Sequence, residues 1–91
     1  MERDQIREVL RSIFEDETGD SLASLPDEVV LADEFDLDSV DMVSLIMQVE
    51  RHFRVRLTYD DLVDVTTAGA LIDIVMAKVA QAEAESKRAA A

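Results

Sequence analysis

The sequence predicts an all-α fold, an antiparallel four-helix bundle with a long first loop and a short third helix. Apolar residues recur with the 3.6-residue period of a helix in three separate segments. The one alternating stretch, Arg54-Val55-Arg56-Leu57, is too short to build a sheet alone. Ninety-one residues make one domain with a modest core, and the chain has no cysteine to staple it.

Taken in order, Ile6, Val9, Leu10, Ile13 and Phe14 fall at i, i+3, i+4, i+7 and i+8, which predicts a helix from about Arg3 to Asp16. Its other face, Arg3, Arg7, Glu8 and Arg11, reads as solvated charge. The connection from Glu17 to Leu37 contains Gly19, Ser21, Ser24 and Pro26, and it is too long to be left loose in so small a domain. Leu25, Val29, Leu31, Phe35 and Leu37 are expected to pin it to the bundle. The second helix should run from Ser39 to Phe53, with Met42, Leu45, Ile46, Val49 and Phe53 on one core-facing arc. Val40, Val43 and Met47 fall off that arc, more apolar surface than a bundle helix needs. Thr58 then caps a short helix over Tyr59 to Val63, with Asp61 as its capping-box partner. Thr66-Thr67 starts the last helix, carried by Leu71, Ile72, Val75, Met76 and Val79. The domain is expected to span 1–82, followed by a polar, Ala-rich helical tail over 83–91.

The chain is organised around Phe35-Asp36-Leu37-Asp38-Ser39-Val40-Asp41, where an acidic segment gives way to helical periodicity. Asp38 and Ser39 both suit a helix start, and Asp41 can reach back to complete a capping box. Ser39 is therefore expected at an exposed helix mouth. The charge is concentrated here as well. Twelve of the 21 acidic residues lie between Ser12 and Glu50 with no Lys or Arg among them, so this segment holds the whole net charge of −12. Such a surface disfavours nucleic acid and anionic membrane as partners and favours a basic protein surface. Val40, Asp41, Val43, Met47 and Glu50 form the expected docking face, its acids steering a partner and its apolar groups supplying contact.

Several chemistries are excluded. Ser39 as a hydrolytic nucleophile needs a nearby base, yet the single histidine, His52, lies 13 residues along the same helix, roughly 20 Å away. Asp36 and Asp38 have no apolar surroundings in sequence that would make one of them a general acid. A calcium loop starting at Asp36 would place Asp41 where glycine is required and Met47 where glutamate is required. Catalytic and metal-ligating residues are therefore expected to be absent. Met1 leads into Glu2-Arg3-Asp4 with no apolar run that would read as a signal peptide, and no segment approaches the roughly 20 apolar residues of a membrane span.

The triplet Asp38-Ser39-Val40, together with Asp41, the Leu45/Val49/Phe53 helix, the Val55 to Leu57 connection and Val65-Thr66-Thr67 before the last helix, resembles the acyl carrier protein family over roughly residues 4 to 80. What the resemblance implies is that Ser39 carries 4'-phosphopantetheine, donated by coenzyme A through a phosphopantetheinyl transferase, with Asp38, Val40 and Asp41 beside the attachment point. It further implies a non-catalytic, monomeric, cytoplasmic carrier. Such a protein holds acyl intermediates as thioesters and presents them to the acyl-transfer and condensing enzymes of a fatty-acid or polyketide-type synthase. A peptidyl or aryl carrier, or a carrier-fold adaptor that never receives the arm, are the alternatives. An attached chain is expected to shelter against Leu45, Val49, Phe53, Leu62 and Leu71. The chain departs from the family pattern in Asp36, where many members have glycine, and in a second helix diluted by Ser44, Gln48, Arg51 and His52. The completeness of the pattern favours a discrete protein.

Overall fold

Each apolar stripe closes on the others in the computed structural model, which describes residues 2–90, with side chains through Ser86. Met1 and Ala91, the outer limits of the expected domain and tail, lie outside the described residues. The helices are α1 (Arg3–Thr18), α2 (Leu31–Phe35), α3 (Ser39–Phe53), α4 (Tyr59–Leu62) and α5 (Ala68–Ala90). α1 contributes Ile6, Leu10, Ile13 and Phe14 to the core, α3 contributes Leu45 and Val49, and α5 contributes Leu71, Ile72, Val75 and Val79. α1 and α3 run antiparallel. Glu17 near the end of α1 accepts hydrogen bonds from Ser44 (3.1 Å) and Gln48 (2.6 Å), while Glu8 and Val9 share a groove with Arg51 and His52.

The helix limits follow local chemistry. α1 continues past the expected Asp16 to Thr18 and stops at Gly19, whose left-handed φ of 77° lets its N–H return to the Glu15 carbonyl. α4 begins on Thr58, which accepts the Asp61 N–H and donates its hydroxyl to the Asp61 carboxylate. Thr67 caps α5 by accepting the Ala70 N–H. α5 continues across position 82 to Ala90, so the helix persists into the tail. No strand occurs among the described residues, and none of their helices is long and apolar enough to cross a membrane.

The first connection is the main correction to the sequence reading. It holds a short helix, α2, whose Phe35 stacks on Phe14 with ring centroids 4.5 Å apart. It also covers the arginine face of α1, whose side chains are only 22 to 33 % exposed. Arg7 donates to the Leu25 carbonyl and Arg11 to the Leu22 carbonyl, each at 2.7 Å, and the Glu15 carboxylate accepts the Leu22 N–H. These residues are structural rather than freely solvated because loop carbonyls that pack on a helix must find donors. Asp27 is the centre of the strap. Its Oδ2 accepts from Arg3 at 2.8 Å, and its Oδ1, shielded from water, faces Arg7 at 2.6 Å as an ion pair without hydrogen-bond alignment. Its carbonyl accepts the Gly69 N–H, and a Cβ on Gly69 would come within 3.0 Å of the Asp27 Cβ. Leu31 N–H to the Thr66 carbonyl and Ala68 N–H to the Val29 carbonyl complete the seam between the connection and the start of α5.

The guanidinium groups of Arg3 and then Arg7 hold the Asp27 carboxyl below its usual range, and the Thr58 N–H and then Lys78 do the same for Asp61. A depressed native pKa contributes stability above the unfolded value, near pH 3.9, and that contribution is lost as pH falls through the native value. Thermal melts should therefore show an acid limb beginning below about pH 4. Asp27→Asn should lower the midpoint at neutral pH and shrink the acid-induced drop. An unchanged acid limb in that variant would show that Asp27 does not hold the strap.

Candidate functional site

The site is the elbow between α2 and α3. Asp36 ends α2 in a left-handed conformation, φ 46° and ψ 47°, which turns the chain toward the next helix. Aspartate reaches this region at less cost than most residues with a Cβ, so glycine is not required here. Asp38 is the N-cap of α3, and the capping box is reciprocal. Asp38 Oδ1 accepts the Asp41 N–H at 2.8 Å, and Asp41 Oδ2 accepts the Asp38 N–H at 3.3 Å. The Asp38 carbonyl accepts the Met42 N–H at 2.9 Å. Of the four N–H groups that a helix start leaves unpaired, two are thereby satisfied. Those of Ser39 and Val40 have no partner among the described residues.

Ser39 is the first residue of α3 and is exposed, with its hydroxyl unengaged among the described residues. The residues present fit a phosphate-linked group. The helix start offers two open N–H groups and the positive end of the dipole, and no side chain occludes the hydroxyl. Asp36, Asp38 and Asp41 oppose a phosphate electrostatically, but a covalent link does not depend on favourable charge.

Beside Ser39, Val40, Val43 and Met47 are 75, 60 and 52 % exposed, so the off-core patch faces outward. Asp41 and Glu50 are half-buried, and the Glu50 carboxylate accepts the Leu57 N–H at 2.9 Å, stitching the turn after α3. Below the patch, an apolar cavity of about 560 Å³ opens between α2, α3, α4 and the start of α5. Leu45, Leu62 and Leu71 line it as expected, but Val49 and Phe53 do not. Val49 is fully packed, and Phe53 sits at the far end of α3 with the His52 ring against it at 5.1 Å. A helical wheel gives the direction of a side chain but not its depth along the axis. Val30, Ala32, Val65 and Thr66 also line the cavity, and Val43 and Met47 of the patch border it from α3. Val30 and Ala32 have no local sequence signal for this position, because the seam that joins the first connection to Thr66 and Ala68 is long-range.

His52 is exposed on the same unbroken helix as Ser39, so it remains roughly 20 Å from that hydroxyl and cannot act as its base. No group of metal-ligating side chains occurs among the described residues.

The family model described as "Phosphopantetheine attachment site" matches residues 8–75. The chain belongs to the acyl carrier protein family. It is similar to the acyl carrier proteins of Tropheryma whipplei (strain Twist), 25% identical over 77 residues, and of Thermotoga maritima, 29% identical over 77 residues. These alignments cover 85% of this chain and 94% and 95% of the two relatives. Two solved structures share the bundle. The holo acyl carrier protein from Geobacter metallireducens matches with a TM-score of 0.75 and 26% identity, covering 84% of this chain and 87% of that one. The Thermotoga maritima acyl carrier protein matches with a TM-score of 0.76 and 27% identity, covering 89% and 94%. This carrier is thus a phosphopantetheine-bearing protein, with 4'-phosphopantetheine as its prosthetic group.

The geometry of the elbow makes its own energetic prediction. Asp38→Ala should cost about 1 kcal/mol through loss of the cap. Asp36→Val should cost about 1 to 2 kcal/mol because a β-branched residue tolerates the left-handed region poorly, whereas Asp36→Gly should be neutral or better. Urea melts of the three variants check this. A fully stable Asp36→Val would show that the elbow does not hold its left-handed turn in solution.

Proposed function

We propose that Ser39 is the attachment point of the prosthetic group, and that the protein carries acyl intermediates between the acyl-transfer and condensing enzymes of a fatty-acid or polyketide-type synthase. The observation that carries this reading is the exposed Ser39 hydroxyl at the first position of α3, between Asp38 and Val40, with two open N–H groups beside it. The arm supplies a terminal thiol that holds cargo as a thioester. Ser39 anchors it, the start of α3 faces its phosphate, and the capping box keeps that anchor out of the core. A phosphopantetheinyl transferase is the partner that loads the arm from coenzyme A. The chain contributes no acid, base or nucleophile to the bond chemistry, and it works as a cytoplasmic monomer. The cavity supports an acyl cargo, since an alkyl chain entering it gains up to about 0.8 kcal/mol per CH₂.

Docking follows from the same end of α3. Asp38 and Asp41 steer a basic partner toward Ser39, and Val40, Val43 and Met47 supply contact once water is expelled. Glu50 belongs to this face with a smaller share, because its carboxylate is already engaged by Leu57.

Intact-mass measurement before and after incubation with coenzyme A and a broad-specificity transferase tests the attachment. Wild type should gain the mass of one arm and Ser39→Ala none. A gain in Ser39→Ala would refute the assignment, and no gain in wild type would favour the adaptor reading.

Transfer kinetics with a partner enzyme over a salt series tests docking. Asp41→Asn, which keeps an oxygen for the cap, should slow association and flatten the salt dependence. Met47→Ala should speed dissociation with the salt slope unchanged. Docking that ignores both changes would place the recognition surface elsewhere.

A further inference from the structure

We propose that a cargo ending in a carboxylate is held outside the bundle, with the arm lying along the outer face of α3 and the carboxylate paired with Arg51. The inference rests on the reading of Ser39 as the attachment point. Two routes leave that residue's neighbourhood, and they differ in chemistry. One is the apolar cavity, which contains no basic residue and has Glu50 in its wall. The other is an open groove of about 510 Å³ on the outside of α3, lined by Ser39, Val40, Val43, Ser44, Met47, Gln48 and Arg51.

The outer groove follows from helix geometry. Ser39, Val43, Met47 and Arg51 are spaced four residues apart and form one ridge of α3, while Val40, Ser44 and Gln48 form the next. The channel between these ridges therefore starts at Ser39 and runs the length of the helix. Ser39 and Arg51 are separated by 12 residues, about 18 Å of helix axis. Side chains on a helix lean toward its N-terminus, so the guanidinium extends back along the channel toward Met47.

Charge selects the occupant. Arg51 is exposed, makes no hydrogen bond or ion pair among the described residues, and is the one basic residue in the lining of this groove. Glu8 and Asp16 of α1 border the adjoining groove that Arg51 also lines, but Glu8 is paired with Arg11 and neither is bonded to Arg51, while Glu17 is engaged by Ser44 and Gln48. A carboxylate in the inner cavity would lose its water and meet Glu50, both unfavourable. In the outer groove it keeps its water and meets a cation. An ion pair at the surface is weak between separate molecules, but tethering at Ser39 gives the cargo a high effective concentration at Arg51. The cargo class is the half-thioester of a short dicarboxylic acid, with the neutral acyl chain of equal length directed inward.

The test uses the holo-protein loaded with a hemisuccinyl or a butyryl group through an amide in place of the thioester, each confirmed by intact mass, with chemical shifts read by NMR. The hemisuccinyl group should move the Ser44 and Gln48 amides and the Arg51 side-chain signal, which border the outer groove and not the cavity, while the butyryl group should move Leu62 and Leu71. Arg51→Gln should abolish the first pattern, and Arg51→Lys should retain part of it. Identical patterns for the two cargoes, or a hemisuccinyl pattern that survives in Arg51→Gln, would overturn the proposal and leave the carrier role standing. A wild-type protein that gains no mass would instead overturn the Ser39 reading and this inference with it.

Discussion

The reciprocal hydrogen bonds between Asp38 and Asp41 are the interaction on which the site depends. They decide where α3 begins, and apolar spacing decides which way it faces. The two agree, so Ser39 stands at the first position of a helix whose inner arc is Leu45 and Val49 and whose outer arc is Val40, Val43 and Met47. If the helix began a turn earlier, Ser39 would lie in its interior, with its N–H tied to a preceding carbonyl. A later start would leave the serine in the connection, without the ordered N–H groups that a phosphate can face.

The acidity of the segment is divided between structure and recognition. Asp27 is held by Arg3 and Arg7, Glu15 by Arg11, and Glu17 by Ser44 and Gln48. These carboxylates tie the first connection and α3 to α1, and the arginine-paired Asp27 and Glu15 contribute less to the field that a partner meets. Among the other acids of the segment, Asp33, Glu34, Asp36 and Asp38 are exposed around the α2–α3 elbow, and Asp16, Asp20 and Glu28 are exposed elsewhere. The negative field at the elbow comes from these exposed acids, while the arginines of α1 neutralise Asp27 and Glu15. At the opposite end of α3, Arg51, Arg54 and Arg56 are exposed, and the helix carries a charge gradient along its length. Cations there also complement the C-terminal end of the helix dipole.

How much of this was legible in the sequence depended on how local each determinant is. The limits of α3 were readable because its capping box and its period both lie within a few residues. The same holds for the Thr58–Asp61 start of α4. α1 was read two residues short, although Gly19 carries the stop signal. α2 was not placed, since Val30 offers no side-chain cap and five residues show no period. The arginine face of α1 was misread because its partners, the carbonyls of Leu22 and Leu25 and the carboxylate of Asp27, arrive from a connection whose path no local pattern states. The cavity wall was half legible for the same reason. Leu45 and Leu71 are marked by period and Leu62 by its place in the helix that Thr58 caps, whereas Val30 and Thr66 are brought there by the seam to α5.

The central claim is that the capping box exposes Ser39 by ending the hydrogen-bonded part of α3 just behind it. Native-state amide hydrogen exchange measures this residue by residue. Asp41 and Met42 should be protected, with Ser39 and Val40 exchanging near the rate of an open chain, which places the onset of amide protection between Val40 and Asp41. An Asp41 amide exchanging as fast as that of Ser39, or a Ser39 amide protected as strongly as Met42, would contradict the account.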